Sequence, residues 1–232
     1  MPQSRTASIE RKTRETLVKV KLNLDGEGTS ETNTGIGFLD HMLDQLAFHG
    51  LMDLAVSCEG DLHIDSHHTT EDIGIALGQA LKEALGEKKG IRRYGHAYIP
   101  MDEALLRAVL DCSGRPDFVF NGQFGRYNLG DLDTQMIPHF FKSLAFNCGL
   151  TLHLSILYGS NDHHNCEGLF KAFARALSDA VTLDPRRLGV SSTKGTLCYS
   201  KTMIGIFDYG VGNLLHLKNA IDHLGPENCI VQ

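Results

Sequence analysis

The chain has 232 residues, 42% hydrophobic and 22% charged, with a net charge of −6 at pH 7. That length carries one large domain or two small ones with a proper core. The acidic balance excludes a general nucleic-acid binder, and no apolar run is long enough to cross a bilayer.

In chain order, the opening stretch "MPQSRTASIERKTRET" is polar and lacks the apolar core of a secretory signal. Glu10 and Glu15 weaken a transit-peptide reading. The six cysteines show no CxxC spacing and read as reduced thiols, so a cytoplasmic protein is expected. "LVKVKLNL" (17–24) alternates apolar and charged residues as a half-buried strand does. Residues 38–49 place Phe38, Leu39, Met42, Leu43 and Leu46 at helical spacing, with Gly50 available to end the helix. His41, Gln45 and His49 step by four and share its more polar face. A second amphipathic helix is predicted over 69–85, with Ile73, Leu77, Ala80, Leu81 and Ala84 as its core stripe. "GHAYIPM" and "ALLRAVLDC" read as strands around a turn at Asp102-Glu103, and "DFVFNG" as another. Helices near 134–148 and 164–181 flank a strand over 150–157.

The second half repeats the first. "FLDHMLDQLAF" overlies "MIPHFFKSLAF", bringing His41 onto His139, 98 positions on. "DSHHTTE" overlies "NDHHNCE", bringing His67, His68 and Glu71 onto His163, His164 and Glu167, 96 positions on. The shared order is a helix bearing one His, a strand region, then HHxxE opening a second helix. Each half reads as an α+β unit, and the two should pack as a pseudo-symmetric pair.

An imidazole and a carboxylate three or four positions apart on a helix can grip one metal ion. Adjacent histidines diverge by roughly 100° around a helix of 3.6 residues per turn, so each pair suits two ions. His41, His67, His68, Glu71, His139, His163, His164 and Glu167 together supply three histidines and one carboxylate for each of two ions. Nitrogen and oxygen donors without thiolates fit Mn, Fe, Co, Ni or Zn better than Mg or Ca. Four protein ligands leave open positions for a substrate on an octahedral ion. A dinuclear metallohydrolase, or a non-catalytic metal-storage or assembly protein, uses similar donors and stays open at this level.

"FLDHMLDQLAFHG", "DSHHTTEDIGIALGQAL", "RYGHAYIPMDEAL" and "NDHHNCEGLFKAFARAL" resemble imidazole glycerol phosphate dehydratases of histidine biosynthesis, over about residues 5–198. The resemblance implies an α+β fold of two duplicated βαββα-type halves, ribosomal protein S5 domain 2-like, with helices on one face of each sheet. The halves are expected at about 5–92 and 93–198, in a domain spanning 1–200. It implies dehydration of D-erythro-imidazole glycerol phosphate to imidazole acetol phosphate with two Mn(II) ions per active site, through a metal-bound imidazolate. It also implies active sites between subunits, and trimers built into an octahedral 24-mer. Carried over by position, one ion takes His41, His68, Glu71 and His163, and the other takes His67, His139, His164 and Glu167. Glu15, His49 and Asp102 correspond to catalytic positions, with Glu15 the expected proton-transfer residue. Glu15, Gln45, His49, Arg93, Arg115, Lys171, Thr193 and Lys194 correspond to substrate-binding positions, with Arg93, Arg115, Thr193 and Lys194 forming the phosphate set and Lys171 beside it.

The resemblance ends near "SSTKGTLCYSK". Residues 203–232 read as a strand (Ile204, Ile206), a turn with Gly210 and Gly212, and a helix through Leu214–Leu224. They resemble the start of the glutamine amidotransferase subunit of imidazole glycerol phosphate synthase. Without a nucleophile elbow or triad, the tail is expected to carry no glutaminase activity, as the truncated remnant of a fusion or readthrough.

Overall fold

The computed structural model describes residues 5–195 and 197, and beyond them the backbone of two short strands. The first compact unit ends at Leu197 and the second begins at Cys198.

The first half of unit one runs β1 (Thr6–Lys12), β2 (Thr16–Asn23), β3 (Ser30–Asn33), α1 (Gly37–Gly50), β4 (Asp53–Gly60) and α2 (His67–Leu85). The second runs β5 (Tyr94–Met101), β6 (Ala104–Asp111), β7 (Asp117–Asn121), a small β8–β9 hairpin (Asn128–Leu129, Leu132–Asp133), α3 (Met136–Cys148), β10 (Thr151–Tyr158) and α4 (Asp162–Val181). The sheets are ordered β1-β2-β4-β3 and β5-β6-β10-β7, so the duplication extends to topology. In both, the outermost strand pairs parallel with its neighbour and the other pairs are antiparallel. The α+β class and the duplicated halves agree with the structure, in which each half runs β-β-β-α-β-α, with the β8–β9 hairpin added in the second. The sequence reading lost β1 and β3 because β3 is "SETN", a polar edge strand with no apolar face to betray it.

The period-two pattern sets which face is covered. Thr16, Val18, Val20 and Leu22 of β2 point into the core, as do Ala104, Leu106, Ala108 and Leu110 of β6. α2 packs on β1 and β2, and α4 on β5 and β6. The helices then pair across the halves, α2 against α3 and α1 against α4. Phe140, Phe141, Phe170 and Phe173 are fully buried where α3 and α4 meet, with ring centroids 4.7–5.5 Å apart in four pairs. This exchange of partners gives the α2–α3 and α1–α4 grooves one wall from each repeat.

Helix ends differ between the halves. α3 ends at Gly149, whose φ of 75° is the left-handed stop expected of glycine. α1 ends instead at Leu51 (φ 52°), while Gly50 stays helical. A Cβ on Gly50 would lie 2.5 Å from Met52 Cε, the movable end of a flexible side chain. In unit two, β11 (Ile204–Phe207) pairs parallel with β12 (Asn228–Val231). The helix expected over 214–224 lies outside the described residues.

Candidate metal and substrate site

Both histidine pairs open helices because a short polar side chain two residues earlier receives the free N–H of the first turn. Asp65 Oδ1 accepts from His67 N at 2.7 Å, and Asn161 Oδ1 from His163 N at 3.0 Å. Those acceptors sit 96 positions apart, in register with the repeat. The pairing of α1 with α4 and of α2 with α3 then builds two clusters.

In the first, α1 brings His41 against His163 and Glu167 of α4. Glu167 Oε2 lies 3.1 Å from His163 Nε2 and 3.5 Å from His41 Nε2. Its other oxygen pairs with the Lys171 ammonium. Burial pushes the Glu167 carboxyl up, but the hydrogen bond and charge of Lys171, with His41, outweigh it and hold the group below its ordinary value. Phe38 stands edge-on to His163 at 5.2 Å between ring centroids.

In the second, α3 brings His139 against His67 and Glu71 of α2. Here each carboxylate oxygen faces a different ring: Oε2 is 3.7 Å from His67 Nε2, and Oε1 is 3.2 Å from His139 Nε2. Where Glu167 has Lys171 one turn on, Glu71 has Ile75. His139 Nε2 is buried without a hydrogen-bond partner, an arrangement that costs free energy unless something else takes up the nitrogen. All ligating atoms within each cluster lie within 4.8 Å of one another. Imidazole and carboxylate donors converging without a thiolate fit a divalent transition metal, and the orphaned His139 nitrogen has a ready role as a ligand.

The grouping within one chain differs from the partition carried over by position. Glu71 lies with His67 and His139, not with His41 and His163, and Glu167 lies with His41 and His163. His68 and His164 join neither cluster. Each meets an acid that the sequence reading passed over. His68 Nδ1 is 2.9 Å from Asp61 Oδ2, and His164 Nδ1 is 2.8 Å from Glu103 Oε2. Both histidines are held above their ordinary pKa, first by those hydrogen bonds. Glu103 is held down to about 2, first by His164 and then by Asn161 N. Asp102 sits beside it at the turn (φ 48°), largely exposed, with Oδ2 3.8 Å from His164 Nε2. The only sequence signals were that Asp61 lies in the loop before the first HH pair and that Glu103 lies in the β5–β6 turn.

Glu15 lies in the β1–β2 turn, exposed, and its carboxylate makes no hydrogen bond or ion pair among the described residues. It is near enough to His68 to favour that ring's charged form. Gln45 and His49 follow His41 along α1, half-buried. Burial, then Lys171 and Arg175, lower the His49 pKa, so α1 and α4 bring this ring near Lys171. Arg93 spends its fork on Asp111 (2.7 and 2.9 Å) and gives Nη1 to Ser191 O at 2.7 Å. That bond draws the loop bearing Thr193 and Lys194, both exposed, toward Arg93. Arg115 is mostly exposed, 4.0 Å from the same Asp111. Among the described residues, no helix is long and apolar enough to cross a membrane.

The sequence matches the family described as imidazoleglycerol-phosphate dehydratase over residues 34–177. The chain is 56% identical over 198 residues to the imidazoleglycerol-phosphate dehydratase of Methylobacillus flagellatus, covering 85% of this chain and all of that one. It is 55% identical over 197 residues to that of Clostridium acetobutylicum, with the same coverage. The crystal structure of imidazoleglycerol-phosphate dehydratase from Staphylococcus aureus superposes with a TM-score of 0.71 at 41% identity, over 77% of this chain and 99% of that one. With its clusters, its fold and its sequence in agreement, the chain belongs to the imidazoleglycerol-phosphate dehydratase family and is an enzyme of the hydro-lyase class.

Proposed function

We propose that this chain removes water from D-erythro-imidazole glycerol phosphate to give imidazole acetol phosphate in histidine biosynthesis, using two divalent metal ions, Mn(II) in the first instance. The observation that carries the reading is the pair of clusters, each a carboxylate between two histidines drawn from both repeats. His41, His163 and Glu167 would hold one ion, and His67, His139 and Glu71 the other, with His68 and His164 as further ligands. Bound there, the ions supply Lewis acidity and a template toward the two nitrogens of the substrate imidazole.

The chain's own groups do the rest. Gln45 and His49 line the α1 face beside the first cluster and orient the ring and its side chain. Glu15, uncommitted in its turn, transfers the proton at the carbon next to the one that loses hydroxide. The enol formed by loss of water then becomes the ketone. Arg115, Thr193 and Lys194, with Arg93 holding their loop, bind the phosphate through guanidinium and ammonium charge. Active sites shared between copies in a larger homo-oligomer would bring ligands of one copy to the clusters of another. The 203–232 tail is no part of this machinery, so its removal is expected to leave dehydratase turnover intact.

Metal-free protein given Mn(II) should gain dehydratase turnover and change particle size together. The readouts are ketone formation and light scattering. Release of inorganic phosphate in place of ketone would favour a metallohydrolase instead.

A further inference from the structure

Among the eight histidines and glutamates of the two HHxxE helices and their partners, His68 and His164 stand outside the clusters, and each is tied to an acid from another element. The two acids are not repeat equivalents. Asp61 follows β4 directly, and the position that follows β10 is Gly159. His67 comes seven positions after Gly60, whereas His163 comes five after Tyr158. The two-residue offset of the repeat therefore falls in these loops, and the longer one carries Asp61. No acid could take its place in the second half: a Cβ on Gly159 would lie 2.1 Å from Asn165 Oδ1 and 2.7 Å from Ala104 Cβ. There the β5–β6 turn closes in and delivers Glu103 instead.

Glu103 in turn has a repeat equivalent. It directly precedes β6, as Glu15 directly precedes β2, and the two strands match in their buried alternation. The same position thus serves two ends. Glu103 is turned onto His164, while Glu15 stays free because Asp61 already holds His68. Asp61 also shows the cost of that arrangement. Its side chain is largely buried, and Oδ1 has no hydrogen-bond partner, so its one ring contact does not repay burial as a stabilising device.

We infer that Asp61 and Glu103 are positioning residues that fix His68 and His164 for metal binding, and that Asp61 releases Glu15 from that task for proton transfer. A carboxylate accepts and does not donate, so each Nδ1 carries the proton and each Nε2 keeps its lone pair for a metal. Acids in this relation to a ligand histidine are worth about 10–100-fold in metal affinity.

The inference rests on the two-metal reading, and titration with Co(II), followed by its visible absorption, separates the two. Wild-type protein should take up two ions per chain; uptake of none overturns both readings. Asp61→Ala should weaken one ion about 10–100-fold and leave the other unchanged, and Glu103→Ala should weaken the opposite one. In a His68→Ala background, Asp61→Ala should have no further effect. Glu15→Gln should leave both ions as in wild type. Unchanged affinity in Asp61→Ala, or an equal loss with and without His68, would overturn the positioning role while the two-metal reading stands. Glu103 also receives Ser160 N and Asn161 N, so its removal loosens a loop as well. The Asp61 arm, free of that second task, decides the matter.

Discussion

The two halves of this chain share topology, the polar acceptor before each histidine pair and HHxxE, yet they divide the work differently. In the second half, Glu167 is buried and neutralised by Lys171, and the acid before β6 is spent on His164. In the first half, Glu71 is more exposed and has Ile75 in place of the lysine, and the acid before β2 is free. Duplication supplied two equal sets of histidines and glutamate. What distinguishes them is the charge around each, set by one helix position, Lys171 against Ile75, and by loops whose lengths differ by two residues.

The largest effect that sharpens this contrast separates the two equivalent acids. Glu15→Gln should lower kcat by about 10²–10⁴ with metal uptake intact, the usual worth of a general acid–base group. Glu103→Gln should instead act through metal affinity. Steady-state kinetics at saturating Mn(II) tells them apart, and equal losses in kcat at both would erase the distinction.

Next comes Lys171→Ile, which gives the second half the residue of the first. It leaves a buried carboxylate without its ammonium, and about 1–3 kcal/mol of stability should go with it in metal-free protein. Urea unfolding measures this, and Ile75→Lys should cause no comparable gain at the more exposed Glu71.

A smaller effect tests the helix crossings. On α2, a Cβ at Gly78 would lie 2.5 Å from Leu144 O of α3, whereas the matching place on α4 holds Ala174. Gly78→Ala should lose about 1–3 kcal/mol to overpacking and regain about 1 kcal/mol in helix propensity, a net loss in thermal unfolding. Ala174→Gly should lose about 1 kcal/mol through propensity and about 0.8 kcal/mol more through the buried methyl it removes. A stabilised Gly78→Ala would show that the two crossings are equally loose.

The smallest is an acid effect at the residue that opens β4. Asp53 opens β4 and is held down to about 2, first by the Thr29 hydroxyl, then by the N–H groups of Glu27 and Thr29. Its counterpart opening β10 is Thr151. A carboxyl lowered in the folded state adds stability above its unfolded pKa, near 4, which is lost as pH falls through about 2. Asp53→Asn should flatten stability between those values, whereas Thr151→Val should leave the acid slope unchanged.

Much of the site was legible from spacing. The HHxxE repeats, His41 and His139 lie on strongly periodic helices, and helical divergence of adjacent histidines predicted that the two members of each pair would part company. His67 and His163 do enter clusters that His68 and His164 do not. Asp61 was illegible because an acid in a polar loop carries no period. Glu103 was passed over for its neighbour Asp102, since only the fold shows which of two turn residues faces inward. Gly50 reads as the stop of its helix, whereas the left-handed residue that ends it is Leu51.

The amino-acid order by itself determined the duplication, the strand faces and the repeated histidine and glutamate positions, because each is written in local periods of two, 3.6 or about 96 residues. It could not determine which carboxylate meets which histidine. That depends on α2 pairing with α3 and α1 with α4, across the repeat rather than within it. Such pairing takes apolar surface of both halves out of water at once, and no local stretch encodes it.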